Sequence, residues 1–215
     1  SLKTVDLGNG LMRVAKAMFA GCAELESVKF GESVTSVARS AFNGCSKLKT
    51  VTMNDDVRSI GEYAFQNCTS LTEIDIPDKV QSIGDSAFKG CSNLLKVNIG
   101  ESVETIDRYA FNGTIIRSVI IPDECKSIAG AGMGYNGVFQ GIKTLKDVVI
   151  GQELEVISRC IFADCTGIER VYIKNNKTTQ ISDYAFSNCR SITDVYFTGS
   201  EEDWNKIVIG KGNEC

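Results

Sequence analysis

Phenylalanine returns along this chain at a nearly fixed interval, and that interval leaves little freedom in what the chain can fold into. Phe19, Phe42, Phe65, Phe88 and Phe111 lie 23 residues apart, and Phe139, Phe162 and Phe186 follow at steps of 28, 23 and 24. A constant period in the twenties marks a solenoid. Each unit of a solenoid buries its apolar side only against its neighbours, so stability is close to a sum over rungs.

Aligned on the Phe, the units share further positions. A small residue usually precedes it (Ala41, Ala64, Ala87, Ala110, Ala185), and Cys follows three residues later (Cys22, Cys45, Cys68, Cys91, Cys165, Cys189). Leu or Ile comes six later, then two apolar residues at alternate positions, as in Val28/Phe30, Ile74/Ile76 and Val171/Ile173. That period of two predicts a short strand with one face buried. A turn of Gly, Pro or Asn plus an acid follows, as in Gly31-Glu32, Asn54-Asp55 and Pro77-Asp78. Pairs such as Val34/Val37 and Val57/Ile60 then lead back to the next Phe. The Ala-Phe-x-x-Cys stretch is too short for a long helix and predicts one or two turns of α or 3₁₀ helix. Strands of successive rungs are expected to pair in parallel roughly 4.8 Å apart, with the Phe column stacked inside.

The units divide the chain into an array over residues 1–199 and a closing segment over 200–215. The array holds a half repeat at 1–11, eight Phe-centred units and a Gly-rich insertion at 129–138. An exposed half rung is an unexpected natural end, because solenoids need polar caps, so a longer parent protein is expected. The fifth unit is one residue short, with Thr114 in place of Cys, and the link from Ile173 to Ile181 has one residue extra. Ser200-Glu201-Glu202-Asp203 reads as a capping box opening a short helix, with Trp204 covering the last rung.

The unit Ile60-Gly61-x-x-Ala64-Phe65-x-x-Cys68-x-x-Leu71-x-x-Ile74-x-Ile76-Pro77 resembles the BspA-like class of leucine-rich repeats. The closing Thr198-Gly199-Ser200-Glu201-Glu202-Asp203-Trp204-Asn205-Lys206-Ile207 resembles the usual end of such arrays. The resemblance covers essentially the whole chain; Thr114, Ile142 and the insertion depart from it. It implies a leucine-rich repeat solenoid: an α/β horseshoe wound as a right-handed superhelix, with a parallel concave β-sheet and short helical returns. It also implies a secreted or cell-surface location, adhesion and the binding of host extracellular proteins. It brings no catalytic residues.

Composition narrows the function classes. The net charge is −4 and no basic stripe occurs, which argues against nucleic acid and anionic membrane surfaces. The longest apolar runs, such as Val148-Val149-Ile150, are far too short to span a bilayer. The chain has no histidine, which removes Ser-His-Asp and Cys-His catalysis and the commonest metal ligand. An enzyme is not expected, nor is a cofactor or a metal.

The remaining motifs read mainly as architecture. Six of the nine cysteines share one place in successive rungs, where Cβ atoms near the interstrand spacing are too far apart for a disulfide. A ladder of buried free thiols is expected; Cys160 with Cys165, and the terminal Cys215, are the pairings left open. Gly132, Gly134 and Gly137 form a GxGxxG without the strand, long helix and acid that a dinucleotide site requires. The acid column Glu32, Asp55, Asp78, Glu101, Asp123 reads as a solvated turn edge, with calcium as the alternative.

The outward strand positions carry the functional signal. They run Thr4/Asp6, Ser27/Lys29, Thr50/Thr52, Glu73/Asp75 and Lys96/Asn98, all polar. They then change to Ser118/Ile120, Asp147/Val149, Arg170/Tyr172 and Asp194/Tyr196. Ile120, Val149, Tyr172 and Tyr196 form one outward apolar column, with Arg170 and the Asp147 and Asp194 carboxylates as its rim. Contiguous exposed apolar residues mark binding surfaces, and Tyr is enriched at hot spots. Strand propensity alone would also favour these residue types. The expected function is a non-catalytic interaction module that grips a protein or peptide through its concave face. A glycan-binding module, with Tyr172 and Tyr196 stacking on sugar rings, and a passive spacer are the alternatives.

Overall fold

The computed structural model describes residues 2–129 and 137–214. The chain alternates a longer and a shorter strand in every rung. In order these are β1 (Thr4–Asp6), β2 (Arg13–Val14), β3 (Ser27–Lys29), β4 (Ser36–Val37), β5 (Thr50–Thr52), β6 (Ser59–Ile60), β7 (Glu73–Asp75), β8 (Ser82–Ile83) and β9 (Lys96–Asn98). They continue as β10 (Thr105–Ile106), β11 (Ser118–Ile120), β12 (Ser127–Ile128), β13 (Asp147–Ile150), β14 (Val156–Ile157), β15 (Arg170–Ile173), β16 (Gln180–Ile181) and β17 (Asp194–Phe197). A helix, α1 (Glu201–Asn205), and a last strand, β18 (Val208–Ile209), close the described chain.

Every strand pairing is parallel and joins one rung to the next, so the chain is a β-solenoid. The odd-numbered strands form the ladders β1-β3-β5, β7-β9 and β11-β13-β15-β17. The even-numbered strands form β2-β4-β6-β8-β10-β12 and β14-β16-β18. In β7, β9 and β11 the middle residue is buried and its neighbours are exposed, the alternation that the sequence predicts.

All eight repeat phenylalanines stand in one column. Successive rings from Phe19 to Phe186 sit with centroids 5.1 to 5.4 Å apart and planes within 19° of parallel. Offset-parallel stacking at this distance is favourable beyond simple area burial. The insertion does not break the column: Phe111 and Phe139 stack at 5.4 Å and 2°, and the Phe111 amide donates to the Val138 carbonyl. Leu25, Leu48, Leu71, Leu94, Leu145 and Ile168 pack beside the rings in the same continuous core. Cys125, Leu154 and Thr178 take the place that Val34, Val57 and Val80 hold in earlier rungs.

The return segments differ from the helical turns expected. They are hydrogen-bonded turns, and α1 is the single α-helix among the described residues. Two left-handed residues flank most Phe positions and stop a helix from propagating. Two before the Phe stand Ala17, Ser40, Tyr63, Ser86, Tyr109, Cys160 and Tyr184, with φ between +53° and +59°. Two after it stand Gly21, Gly44, Asn67, Gly90, Gly113, Gly141, Asp164 and Asn188, also at positive φ. A right-handed helix cannot pass through such residues. Most of their amides bond the next rung instead, as Tyr63 N–H does to the Asp85 carbonyl at 2.9 Å.

The thiol ladder is present. Cys22, Cys45, Cys68, Cys91, Cys125, Cys160, Cys165 and Cys189 are all free, and Cys215 lies outside the described residues. Five of the six repeat thiols donate to the carbonyl of the Phe one rung back: Cys45 to Phe19, Cys68 to Phe42, Cys91 to Phe65, Cys165 to Phe139 and Cys189 to Phe162, at 3.0 to 3.3 Å. Thr114 keeps a donor in the short unit, but bonds the carbonyl of its own Phe111 at 2.8 Å.

The capping box at the C-terminal end is formed in full. The Ser200 hydroxyl accepts from the Asp203 amide and the Asp203 carboxylate accepts from the Ser200 amide. Trp204 packs edge-on against Phe197 with centroids 5.5 Å apart.

Candidate functional site

The four-stranded ladder β11-β13-β15-β17 sets the apolar column by register alone. Ile120 pairs with Val149, Val149 with Tyr172, and Tyr172 with Tyr196. The inward neighbours Val119, Val148 and Val171 are buried, so strand alternation turns the column outward. Ile120 is 61% and Tyr196 48% exposed; Val149 and Tyr172 are half-buried. The rings of Tyr172 and Tyr196 stack with centroids 4.7 Å apart and planes 8° from parallel. Val149, Tyr172, Ile173, Lys174, Tyr196 and Thr198 line an apolar hollow of about 200 Å³ beside this stack.

The polar rim is asymmetric. The Arg170 guanidinium donates from Nε to Asp147 across one strand step. That hydrogen bond holds the Asp147 carboxyl below its usual range. Asp194 is in register with Arg170 on the other side, but its carboxylate accepts from the Thr193 hydroxyl at 2.8 Å. Arg170 is therefore committed toward β13, and Asp194 toward its own strand.

Two breaks in the odd ladder open further hollows on the same face. Between β5 and β7 a hollow of about 310 Å³ is lined by Thr50, Thr52, Glu73 and Asp75. Between β9 and β11 a hollow of about 590 Å³ is lined by Lys96, Asn98, Ser118, Ile120 and Lys174. The second break falls where the fifth unit is one residue short, and it adjoins the first residue of the apolar column. Lys174 and Thr198 do not stand out in the sequence as outward strand residues, since both fall where a turn is expected. The signal that was available is the extra residue between Ile173 and Ile181.

The other motifs hold structural roles. The Asp78 carboxylate accepts from the Glu101 amide one rung on, and Asn9 serves the Glu32 amide in the same way. Within the acid column Asp78 thus staples one turn to the next and Asp123 accepts from the Gln152 side chain one rung on, and among the described residues no group of His, Cys, Asp and Glu could hold a metal ion. Of the GxGxxG, Gly132 and Gly134 lie outside the described residues. Gly137 is packed so closely that an added Cβ would stand 1.9 Å from the Cys160 carbonyl oxygen. Among the described residues no helix is long and apolar enough to cross a membrane.

Solved structures similar to this chain include leucine-rich repeat proteins of bacteria. A leucine-rich cell surface protein from Faecalibacterium prausnitzii is 19% identical, with a TM-score of 0.56 over 100% of this chain and 83% of that one. A leucine-rich repeat protein of T. pallidum is 25% identical, with a TM-score of 0.61 over 89% of this chain and 78% of that one. The pneumococcal vaccine antigen PcpA is 17% identical, with a TM-score of 0.59 over 99% and 67%. No curated protein matches the chain. Six copies of the BspA type leucine-rich repeat region match residues 12–132 and 116–208. On that match, which runs through nearly every rung just described, the chain belongs to the BspA-type leucine-rich repeat family.

Proposed function

We propose that this chain is a non-catalytic protein-binding module of a secreted or cell-surface protein, and that it grips its partner through the face bearing Ile120, Val149, Tyr172 and Tyr196. The observation that carries the reading is the register-locked apolar column, which begins only at β11 and is exposed on an otherwise polar face. Such a patch costs solubility unless something covers it. The cell-surface description of the Faecalibacterium prausnitzii relative supports the location.

A glycan is the second reading, since tyrosine rings can stack on sugars. The Tyr172–Tyr196 stack counts against it, because each ring already spends one face on the other. The test is surface plasmon resonance of the wild-type chain and a Tyr172→Ala/Tyr196→Ala variant against purified host extracellular proteins and a glycan array. The expected result is a protein partner whose affinity falls at least about tenfold in the variant, which remains folded by circular dichroism with a modestly lowered melting temperature. Binding that is indifferent to both substitutions overturns the site.

A further inference from the structure

Lys174 is the extra residue of its rung, and its position can be read from the residue that follows. In an earlier rung Asn54 directly follows the inward Met53; its amide donates to the Gly31 carbonyl and its carbonyl oxygen accepts from the Asp56 amide. Asn175 makes the same contacts, donating to the Gly151 carbonyl at 2.6 Å and accepting from the Lys177 and Thr178 amides. Yet Asn175 stands two residues after the inward Ile173. The residue inserted between them is Lys174. At the corresponding turn Gly31, Gly100 and Gly151 press backbone on backbone, and an added Cβ would stand 1.7 to 2.2 Å from a carbonyl oxygen of the preceding turn. The residues that carry a side chain at that place, Asn54, Pro77 and Pro122, are short or cyclic, as is Asn175 after the insertion. The insertion places Lys174 directly after β15, where its amide donates to the Ile150 carbonyl and the strand alternation turns the lysine out onto the sheet face.

Three hollows meet at this side chain. It lines the apolar one with Val149, Tyr172 and Tyr196, the larger one with Ile120, and a polar one of about 210 Å³ with Gln152, Asn176 and Thr198. Lys174 is exposed and has no ion pair among the described residues. Its neighbours differ: Lys146 is paired with Glu169, Lys177 with Glu153, and Arg170 with Asp147. Asp123, Glu124 and Glu101 line the larger hollow together with Lys174 and Lys96, whereas among the described residues no acid lines the apolar one.

We propose that Lys174 makes this site selective for an acidic segment of the protein partner: a carboxylate pairs with the Lys174 ammonium while an adjoining apolar residue rests on Val149, Tyr172 and Tyr196. The inference rests on the concave-face reading above and names the chemistry of its ligand. Charge complementarity assigns the acid, since the free ammonium is the uncommitted cation at the apolar hollow. The strip assigns an extended chain rather than a sugar. Its four side chains span three interstrand steps, roughly 14 Å, which is the length of about four extended residues. Two of the four, Ile120 and Val149, are aliphatic and offer nothing to a hydroxyl.

A random peptide library displayed on phage, selected on the wild-type chain, tests this. The enriched peptides are synthesised and titrated against wild type, Lys174→Glu, Lys174→Arg and Tyr172→Ala/Tyr196→Ala. The expected peptides carry Asp or Glu beside an apolar residue. They lose at least about tenfold in affinity with Lys174→Glu, keep it with Lys174→Arg, and weaken as salt rises. The Lys174 variants keep the wild-type melting temperature, and the double tyrosine variant remains folded by circular dichroism with a modestly lowered one. Peptides that need the tyrosines but ignore Lys174→Glu overturn the acid assignment and leave the concave site standing. Peptides indifferent to every variant, or no enrichment at all, overturn both. Lys174-dependent binding confined to an acidic glycan array overturns the peptide occupant.

Discussion

The thiol of Cys165 donates to the carbonyl oxygen of Phe139 one rung back at 3.0 Å, while the Cys165 amide donates to Phe162 of its own rung at 3.1 Å. One residue therefore ties the aromatic column in both directions. The same pair of bonds recurs at Cys45, Cys68, Cys91 and Cys189. A methyl-sized side chain would forfeit the bond to the preceding rung and leave a small void. Cys68→Ala is expected to cost about 1–3 kcal/mol, read as a lowered midpoint in denaturant titration. An unchanged midpoint would make the ladder mere filler.

Those thiols also set the response to alkali. Burial pushes Cys45 up to about 11 and Cys165 up to about 12. An unfolded thiol ionises near about 8.5. A group whose folded value is raised contributes stability that is complete below the unfolded value and lost as pH rises to the folded one. Stability is therefore expected to fall steadily above about pH 8.5. Denaturant midpoints measured from pH 7.5 upward check it, with a shallower slope expected in Cys165→Ala.

The aromatic column predicts a gradient along the rod. Phe88 is fully buried between Phe65 and Phe111, whereas Phe19 is only partly buried. Phe88→Ala is expected to cost about 3–5 kcal/mol and Phe19→Ala clearly less. Calorimetry of the two variants decides it, and equal losses would count against the rung-by-rung account.

Period, strands, parallel pairing and core were legible because each left a residue type in a fixed place. The returns were misread as helical for an equally physical reason. Positive φ two after the Phe is signalled by Gly44, Gly90 and Gly113, but two before it stand Ser40, Tyr63 and Tyr109, which signal nothing. The apolar column was readable because strand alternation fixes facing. Lys174 was not, because a one-residue insertion shifts a side chain from the turn to the face without changing the motif around it. The turn itself gives a check: Gly100→Ala would put a Cβ 2.2 Å from the Pro77 carbonyl oxygen. That substitution is expected to cost more than the roughly 1 kcal/mol stabilisation usual for Gly→Ala would suggest, and with the opposite sign. A variant as stable as wild type would mean the turns can separate freely.

The Arg170–Asp147 pair should be visible by titration. The Arg170 hydrogen bond holds the Asp147 carboxyl below the usual range, although the side chain is still 31% exposed. A depressed carboxylate contributes its interaction above the unfolded value, and that contribution is lost as pH falls through the folded one. Carbon-detected NMR of the Asp147 carboxyl is expected to show a midpoint below about 3.9, returning to that value in Arg170→Gln. The same variant should leave the melting temperature nearly unchanged, since exposed pairs contribute little. A midpoint that does not move would show that Arg170 is free to reach an incoming ligand, and the rim would then be more adaptable than the paired geometry implies.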